Sequence, residues 1–166
     1  MRRSHRAKTG TFAHPAAGSA DNNDRPPRMT SIIYVSSATT PFTNRELAAL
    51  LSQSREKNAR DGITGMLLYK DGTFMQVLEG PPAAIRKQML SLSRDYRHDA
   101  LNTLLDQNVE SRQFSEWPMA FWNLNTIDPA AVPGYANFEN TPLTSPDFQS
   151  DPSRAQTLLL TLRDGL

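Results

Sequence analysis

A pair of apolar segments joined by a tight turn occupies the middle of this chain and constrains its fold more than any other feature. Ile63–Tyr69 and Thr73–Glu79 are rich in aliphatic, aromatic and β-branched residues, and only Lys70–Asp71–Gly72 lies between them. Short apolar runs separated by a turn that contains glycine are typical of a β-hairpin. The remaining elements must therefore pack on the faces of a sheet that contains this hairpin.

One strand and one helix precede the hairpin. Ser31–Ser37 is rich in β-branched and aromatic residues, which predicts a strand. Thr43, with Glu46 three residues later, has the pattern of a capping box, so a helix is expected to begin there. We expect this helix to end near Arg60, because Gly62 is suited to the C-terminal cap.

A second helix and two further strands follow the hairpin. Prolines after Gly80 interrupt the chain and start a helix at Ala83–Asp95. Leu101–Val109 and Trp117–Leu124 have the composition of strands. The order β-α-β-β-α-β-β predicts an α+β fold, namely a ferredoxin-like split β-α-β-β-α-β arrangement with an extra fifth strand and two helices on one face.

The other face of this sheet also carries apolar residues and needs a cover. Its apolar positions are Ile33, Val35, Met75 and Val77. Ser153–Leu162 has apolar residues at helical spacing after Asp151–Pro152, and a weaker helical turn is expected at 129–138. We therefore predict that C-terminal helices cover the second face.

Charge separates a leader from the body of the chain. Residues 1–28 have a net charge of +4 and little apolar pattern, whereas the remainder has −3. We predict a disordered leader at 1–28, or a true start at Met29, then a folded domain at 29–124 and a C-terminal helical extension at 125–166. The acidic body has no basic stripe and no segment of roughly 20 apolar residues, so neither nucleic-acid nor membrane binding is expected.

The residue types exclude several kinds of chemistry. The chain has no cysteine, which excludes disulfides, zinc–thiolate sites and iron–sulfur clusters and fits a cytoplasmic protein. His98 is the only histidine after residue 28, and no acidic residues have the spacing of metal ligands. No nucleophile–base pair is evident, so neither a metal site nor a catalytic centre is predicted.

Four polar side chains occupy positions that periodicity assigns to buried faces. Ser54 and Asn58 continue the apolar stripe of the first helix. Gln76 lies on an otherwise apolar face of the third strand, and Tyr34 lies mid-strand in the first. Each is also compatible with a core residue whose partners are protein groups or water. Because the first and third strands are central in this topology, convergence of all four would suggest a bound polar, planar ligand.

Five separated strings resemble the BLUF family (blue light using flavin) in order and spacing: IIYVSSAT, KNARDGITGMLLY, DGTFMQVLEGP, SRDYRH and FSEWPM. The resemblance covers roughly Ser31 to Leu124, and residues 125–166 resemble the C-terminal extension of the short, stand-alone members. It implies that FAD binds between the two helices. It also implies a photosensor without substrate turnover, and hence not an enzyme.

The resemblance further implies roles for individual residues. Tyr34 would pass an electron and a proton to the excited flavin, and Gln76 would rearrange to give a red-shifted signalling state that decays in the dark. Asn58 would hold the flavin, with Ser54 near the glutamine. The other implied residues are Asp95, Arg97 and His98 around the ribityl and phosphate side, and Trp117 and Met119, whose placement against the glutamine is linked to signalling.

Two positions stand out from the family pattern. Lys57 lies where many relatives carry asparagine or histidine beside the flavin. Trp122 is an extra aromatic residue on the opposite face of the fifth strand, and we expect it to pack under the C-terminal helix.

The expected output is a changed contact with a separate effector protein, and the apolar C-terminal segment leaves homo-oligomerisation open. Two alternatives are a small ferredoxin-like enzyme, such as an acylphosphatase or a monooxygenase-like barrel, and a light-independent interaction domain. An acylphosphatase needs an Arg/Asn phosphate cradle, which the sequence does not show. The presence of Tyr34, Asn58 and Gln76 together favours the photosensor.

Overall fold

The computed structural model describes residues 28–166, so the predicted leader at 1–28 lies outside the described residues except for Arg28. The structure confirms the predicted α+β fold. The five strands are β1 (Met29–Ala38), β2 (Thr64–Lys70), β3 (Thr73–Gly80), β4 (His98–Val109) and β5 (Ala120–Asn123). The four α-helices are α1 (Asn44–Asp61), α2 (Pro82–Ser93), α3 (Pro146–Ser150) and α4 (Pro152–Arg163).

The strands form one sheet in the order β4-β1-β3-β2-β5. All neighbouring strands are antiparallel except β2 and β5, which are parallel. The central pair β1 and β3 places Tyr34 directly opposite Gln76. The prediction that these two strands are adjacent in the centre of the sheet is therefore confirmed.

Two apolar cores lie on opposite faces of the sheet. The α1/α2 core lies between the sheet and the first two helices and contains residues such as Leu47, Leu51 and Ile85. The α3/α4 core lies on the other face, where buried residues of α3 and α4 form one cluster with the four apolar positions named from the sequence. Trp122 packs against this second core, and its Nε1 donates a hydrogen bond to the carbonyl of Leu162 at 2.9 Å. The predicted C-terminal cover of the sheet is thus present.

The ends of α1 follow the sequence closely. Thr43 caps its N-terminus, and the side chain of Glu46 accepts a hydrogen bond from the backbone N–H of Thr43 at 2.8 Å, which completes the predicted capping box. Gly62 caps the C-terminus with φ of +67°, a left-handed conformation that favours glycine. These caps fix the length of α1 and hence the depth at which Asn58 lies.

Several predicted boundaries differ from the observed ones. β5 is limited to four residues, whereas Trp117–Leu124 was expected. Pro118 has no N–H for a strand ladder, and Trp117 instead accepts a hydrogen bond from the N–H of Gly65 at 3.2 Å. α3 was not predicted, and the expected turn at 129–138 consists of two short 3-10 turns, Pro129–Ala131 and Tyr135–Asn137.

Gly65 marks a close approach of β2 to β3. A Cβ atom at this position would lie 2.0 Å from the carbonyl oxygen of Val77, so no larger residue fits without a backbone shift.

Among residues 28–166, no helix is both long enough and apolar enough to cross a membrane.

Candidate functional site

A buried polar pair lies at the centre of the sheet on the α1/α2 face. Tyr34 is 1% exposed and Gln76 is 5% exposed, and the Tyr34 hydroxyl donates a hydrogen bond to Oε1 of Gln76. Burial raises the pKa of the Tyr34 phenol far above its usual value, and the Asp95 carboxylate adds to this increase. The phenol is therefore neutral and acts as the donor of this pair.

The other arm of the Gln76 carboxamide contacts Met119. Nε2 of Gln76 donates to the thioether sulfur of Met119 at 3.2 Å, and Met119 is 1% exposed. A thioether is a weak acceptor, so this hydrogen bond can be exchanged for a stronger one at modest cost. Trp117 does not lie beside Gln76: it packs against the α3/α4 core. Only Met119 of the two expected residues therefore lies next to the glutamine.

Asn58 approaches the same region from α1. It is 1% exposed, and its Nδ2 donates to the carbonyl of Pro118 at 2.9 Å. Its Oδ1 is buried and has no hydrogen-bond partner within residues 28–166. An unpaired buried oxygen is costly, so this atom calls for a donor from a ligand or from water.

A cleft of about 110 Å³ lies between α1 and α2. The polar residues predicted from the sequence that line it are Ser54, Asp95, Arg97 and His98. A second cavity of about 260 Å³ adjoins the cleft and shares Leu50, Gln53 and Arg97 with it. Together the two cavities extend from the helix pair towards the loop that follows β1.

The wall of the cleft beyond α2 contains an ion pair between Asp95 and Arg97. Asp95 accepts hydrogen bonds from Nε of Arg97 at 2.9 Å and from Nη2 at 2.6 Å. These hydrogen bonds lower the pKa of Asp95, and they raise that of Arg97. Both groups are therefore charged, and the pair presents a fixed dipole to the cleft.

His98 is held neutral in this wall. Its Nδ1 lies 3.0 Å from the hydroxyl of Ser36, and its ring packs against Phe74 at a centroid distance of 5.0 Å. Burial lowers the pKa of His98, with the Asp95 carboxylate opposing this shift and Arg97 adding to it. Across residues 28–166, no group of three or more His, Asp or Glu side chains is arranged to hold a metal ion.

The structure adds Gln88 and Arg55 to the site and gives the contact of Lys57, the position at which relatives carry asparagine or histidine. Gln88 on α2 lines the cleft, and its buried Oε1 has no partner within the described chain. Nζ of Lys57 donates to the hydroxyl of Ser91 at 3.1 Å and so joins α1 to α2. Nε of Arg55 donates to the carbonyl of Met119 at 2.9 Å.

Of these three, Gln88 carried a signal in the sequence. It lies on one helical stripe with Ile85 and Leu92, so it interrupts an apolar face in the same way as Asn58 does. Arg55 carried no such signal, because the contact of a long exposed side chain with a loop carbonyl leaves no periodicity in the sequence.

The family model described as sensors of blue-light using FAD matches residues 29–120, which is more than half of the chain. This chain belongs to the BLUF family. The family binds flavin and senses blue light, so the cleft between α1 and α2 is a candidate flavin site.

Solved BLUF structures have the same fold as this chain. BlrB, a BLUF protein in its dark state, is 25% identical with a TM-score of 0.67, and the match covers 85% of this chain and 99% of that chain. The photo-activated state of BlsA is 25% identical with a TM-score of 0.64, covering 80% and 94%. A bacterial light-regulated adenylyl cyclase is 29% identical with a TM-score of 0.57, covering 81% and 35%.

Curated relatives are much longer than the matched region. The photoactivated adenylate cyclase subunit beta of Euglena gracilis is 35% identical over 92 residues. Those residues make up 55% of this BLUF chain but only 11% of the cyclase subunit. The similarity thus concerns one domain of that protein.

The cleft, together with the buried Asn58 and Gln76 on the same side of the sheet, fits a flavin. The polar edge of an isoalloxazine carries one N–H group between two carbonyl oxygens, so it can both donate and accept hydrogen bonds. Asn58 and Gln88 each offer a buried oxygen that lacks a donor. The carboxamide of Gln76 retains a second N–H that can donate to a carbonyl or ring nitrogen. The single N–H of a flavin edge would satisfy one of these two oxygens, and a ribityl hydroxyl would satisfy the other.

Proposed function

We propose that this BLUF chain is a blue-light photoreceptor that binds FAD between α1 and α2 and responds through rearrangement of Tyr34 and Gln76. One observation carries the proposal. The buried chain of hydrogen bonds from Tyr34 through Gln76 to Met119 lies on the same face as the unpartnered Oδ1 of Asn58. A structural core would satisfy that oxygen, whereas a cofactor site leaves it for the ligand.

When bound, the flavin supplies absorption of blue light and an excited state able to oxidise a phenol. Tyr34 is suited to that role because its raised pKa keeps the proton on the hydroxyl until an electron leaves. Oε1 of Gln76 accepts the hydrogen bond from the Tyr34 hydroxyl, so it is the first atom that the phenol proton can reach. The loss of an electron from Tyr34 is therefore coupled to the loss of its proton at the Tyr34–Gln76 pair.

Gln76 can store the change because its two arms differ. In the structure its oxygen faces Tyr34 and its nitrogen faces the sulfur of Met119. Rotation or tautomerisation exchanges the donor and the acceptor, which alters the hydrogen bonds at the flavin edge and releases Met119. The red-shifted state therefore has a physical basis in one carboxamide, and it reverts when the original arrangement returns.

The proposed cofactor is FAD, in keeping with the family's description as sensors of blue-light using FAD. Ser54, Asp95, Arg97 and His98 would line the ribityl and phosphate side, since all four lie on the wall of the cleft. The remainder of the dinucleotide would extend towards the cavity of about 260 Å³ that shares Arg97 with the cleft. Analysis of the flavin released from the purified protein checks this: FAD is expected, and FMN alone would contradict it.

The output is proposed to be a changed contact with a separate protein, without substrate turnover. Residues 29–124 would form the flavin-binding unit, and residues 125–166 would form the extension that covers the second face and carries the signal. The matched segment makes up only 11% of the photoactivated adenylate cyclase subunit beta, so the similarity does not argue for cyclase activity in this chain.

Visible absorption before and after blue light tests the proposed function. The chain supplied with FAD should be yellow and should show a reversible red shift. Tyr34→Phe and Gln76→Leu should abolish the shift while the flavin stays bound. Tyr135→Phe is the matched control, because Tyr135 is equally buried but lies in the α3/α4 core. A protein that refuses added FAD, or a Tyr34→Phe variant with the full shift, would contradict the proposal.

A further inference from the structure

A buried carboxylate outside the cleft holds the segment that leads to Met119. Glu79 lies near the end of β3, three residues after Gln76, and is fully buried. Its Oε2 accepts hydrogen bonds from the backbone N–H groups of Gln113 at 2.8 Å and of Phe114 at 2.9 Å. A fully buried carboxyl oxygen that accepts two backbone N–H groups fixes residues 113–114 to the strand that carries Gln76.

Arg112 reinforces the same attachment. Its Nη1 donates to the carbonyl of Glu79 and to the hydroxyl of Thr64, each at 2.8 Å. Its Nη2 donates to the carbonyl of Gly62 at 2.6 Å. The start of segment 112–119 is therefore tied to β2, to β3 and to the cap of α1.

The other end of segment 112–119 is tied to α1 beside the cleft. Asn58 holds the carbonyl of Pro118, and Arg55 holds the carbonyl of Met119, each at 2.9 Å. Asn58 is also a proposed flavin contact, so this end of the segment is attached to a residue of the proposed site. The end held by Glu79 does not face the cleft, because Glu79 lies on the α3/α4 side of β3 together with Val77.

The end held by Glu79 also contacts α4. Gln156 donates to the side-chain oxygen of Gln113 at 3.1 Å, and Arg163 donates to the Gln113 carbonyl at 3.0 Å. The Arg163 guanidinium also lies 5.8 Å from the ring centroid of Phe114. A shift of residues 113–114 would therefore change the contacts of two side chains of α4, Gln156 and Arg163.

We propose that Glu79 is a positioning residue of the light response: by fixing residues 113–114 it sets where Met119 lies against Gln76 and couples segment 112–119 to α4. The inference rests on the proposed function. A segment that is fixed at its start is strained when its Met119 end is displaced, and this strain favours return to the dark arrangement. Loss of the Glu79 attachment should therefore slow dark recovery.

The test compares Glu79→Gln with Glu110→Gln in the full chain loaded with FAD. Glu110 is exposed and precedes Arg112 by two residues, so its variant removes the same charge close by without touching the attachment. Glu79→Gln should bind FAD and show the red shift, but it should recover about fivefold more slowly or slower still. It should also lose the light-induced change in amide exchange in α4. Glu110→Gln should behave as wild type.

A Glu79→Gln variant that recovers within a factor of about two of wild type, or faster, overturns the inference even if its thermal stability falls. A purely structural role changes stability but leaves the recovery rate of the folded molecules unchanged. If Glu79→Gln does not fold, Arg112→Ala loosens the same attachment and should slow recovery in the same direction; an unchanged rate there overturns the inference too.

The two proposals fail in different ways. A wild-type chain that binds FAD without a red shift contradicts the proposed function, and the inference falls with it. A wild-type red shift together with unchanged recovery in both variants contradicts the inference alone.

Discussion

The two faces of the sheet treat buried polar groups differently. On the α3/α4 face, the carboxylate of Glu79 accepts hydrogen bonds from Ser31, Gln113 and Phe114. On the α1/α2 side, the side-chain oxygens of Asn58 and Gln88 are buried without partners within the described chain. The buried carboxylate on the first face is satisfied by groups of the chain itself, whereas the second face keeps two buried oxygens that need a donor from a ligand or from water. Stability should therefore depend mainly on one face and flavin binding on the other.

The largest expected effect is on stability at the α3/α4 face. Leu159 is fully buried on α4, so Leu159→Ala leaves a cavity and should lower the free energy of unfolding by about 2–5 kcal/mol. Denaturant unfolding measures this loss, and the size of the red shift in the remaining folded protein should not change. If Leu159→Ala lost the red shift while fully folded in the absence of denaturant, the roles of the two faces in stability and in the light response would not be independent.

Asn58→Leu should lower flavin affinity and leave stability nearly unchanged. It removes one hydrogen bond to Pro118 but also the unpartnered Oδ1, so the flavin-free protein should change in stability by no more than about 1 kcal/mol. Flavin affinity should fall by about tenfold to a hundredfold, because a buried contact worth about 1–3 kcal/mol is lost. Titration of the flavin-free protein with FAD measures the affinity, and an unchanged affinity would contradict the flavin site.

A smaller effect is expected at Gln88. Gln88→Leu removes the second unpartnered oxygen, so the flavin-free protein should be as stable as wild type or slightly more stable, while FAD affinity falls by about tenfold or less. Gln149→Leu on the exposed surface of α3 is the matched control and should leave affinity unchanged. Equal losses in both variants would remove Gln88 from the site.

The smallest effect is a pH dependence from His98 in the flavin-free protein. Its pKa is lowered in the folded state, so the unfolded chain binds the proton more tightly. The contribution to stability is complete above the unfolded value of about 6.5 and is lost as pH falls towards the lowered folded value. Melting temperatures between about pH 5 and 8 should decline on the acidic side, and His98→Asn should flatten the decline. A steeper decline in the variant would contradict the assignment.

Much of the α1/α2 face could be predicted from local pattern. Period-two alternation placed Tyr34 and Gln76 on the same face of neighbouring strands, and a helical stripe placed Asn58 above them. These inferences succeeded because each needed only the period of one element and the order of the strands. Gln88 could have been found in the same way, since it interrupts the stripe of α2.

The arrangement of Trp117 and Met119 could not be predicted in this way. Residues two apart share a face only while the chain continues as a strand, but β5 begins at Ala120 and Pro118 interrupts the ladder before it. The two side chains therefore separate, one to each core. Their placement depends on Glu79, Arg55 and Asn58, contacts that lie far away in sequence.

The two tryptophans of this chain give it a built-in fluorescent reporter. Both pack against the α3/α4 core, and the indole N–H of Trp122 is bonded to the carbonyl of Leu162 near the end of α4. Indole emission depends on solvent access and on this hydrogen bond, so it reports whether α4 is seated on the sheet. The packing of α4 on the sheet can thus be followed by tryptophan emission under dim ultraviolet excitation, without an added dye.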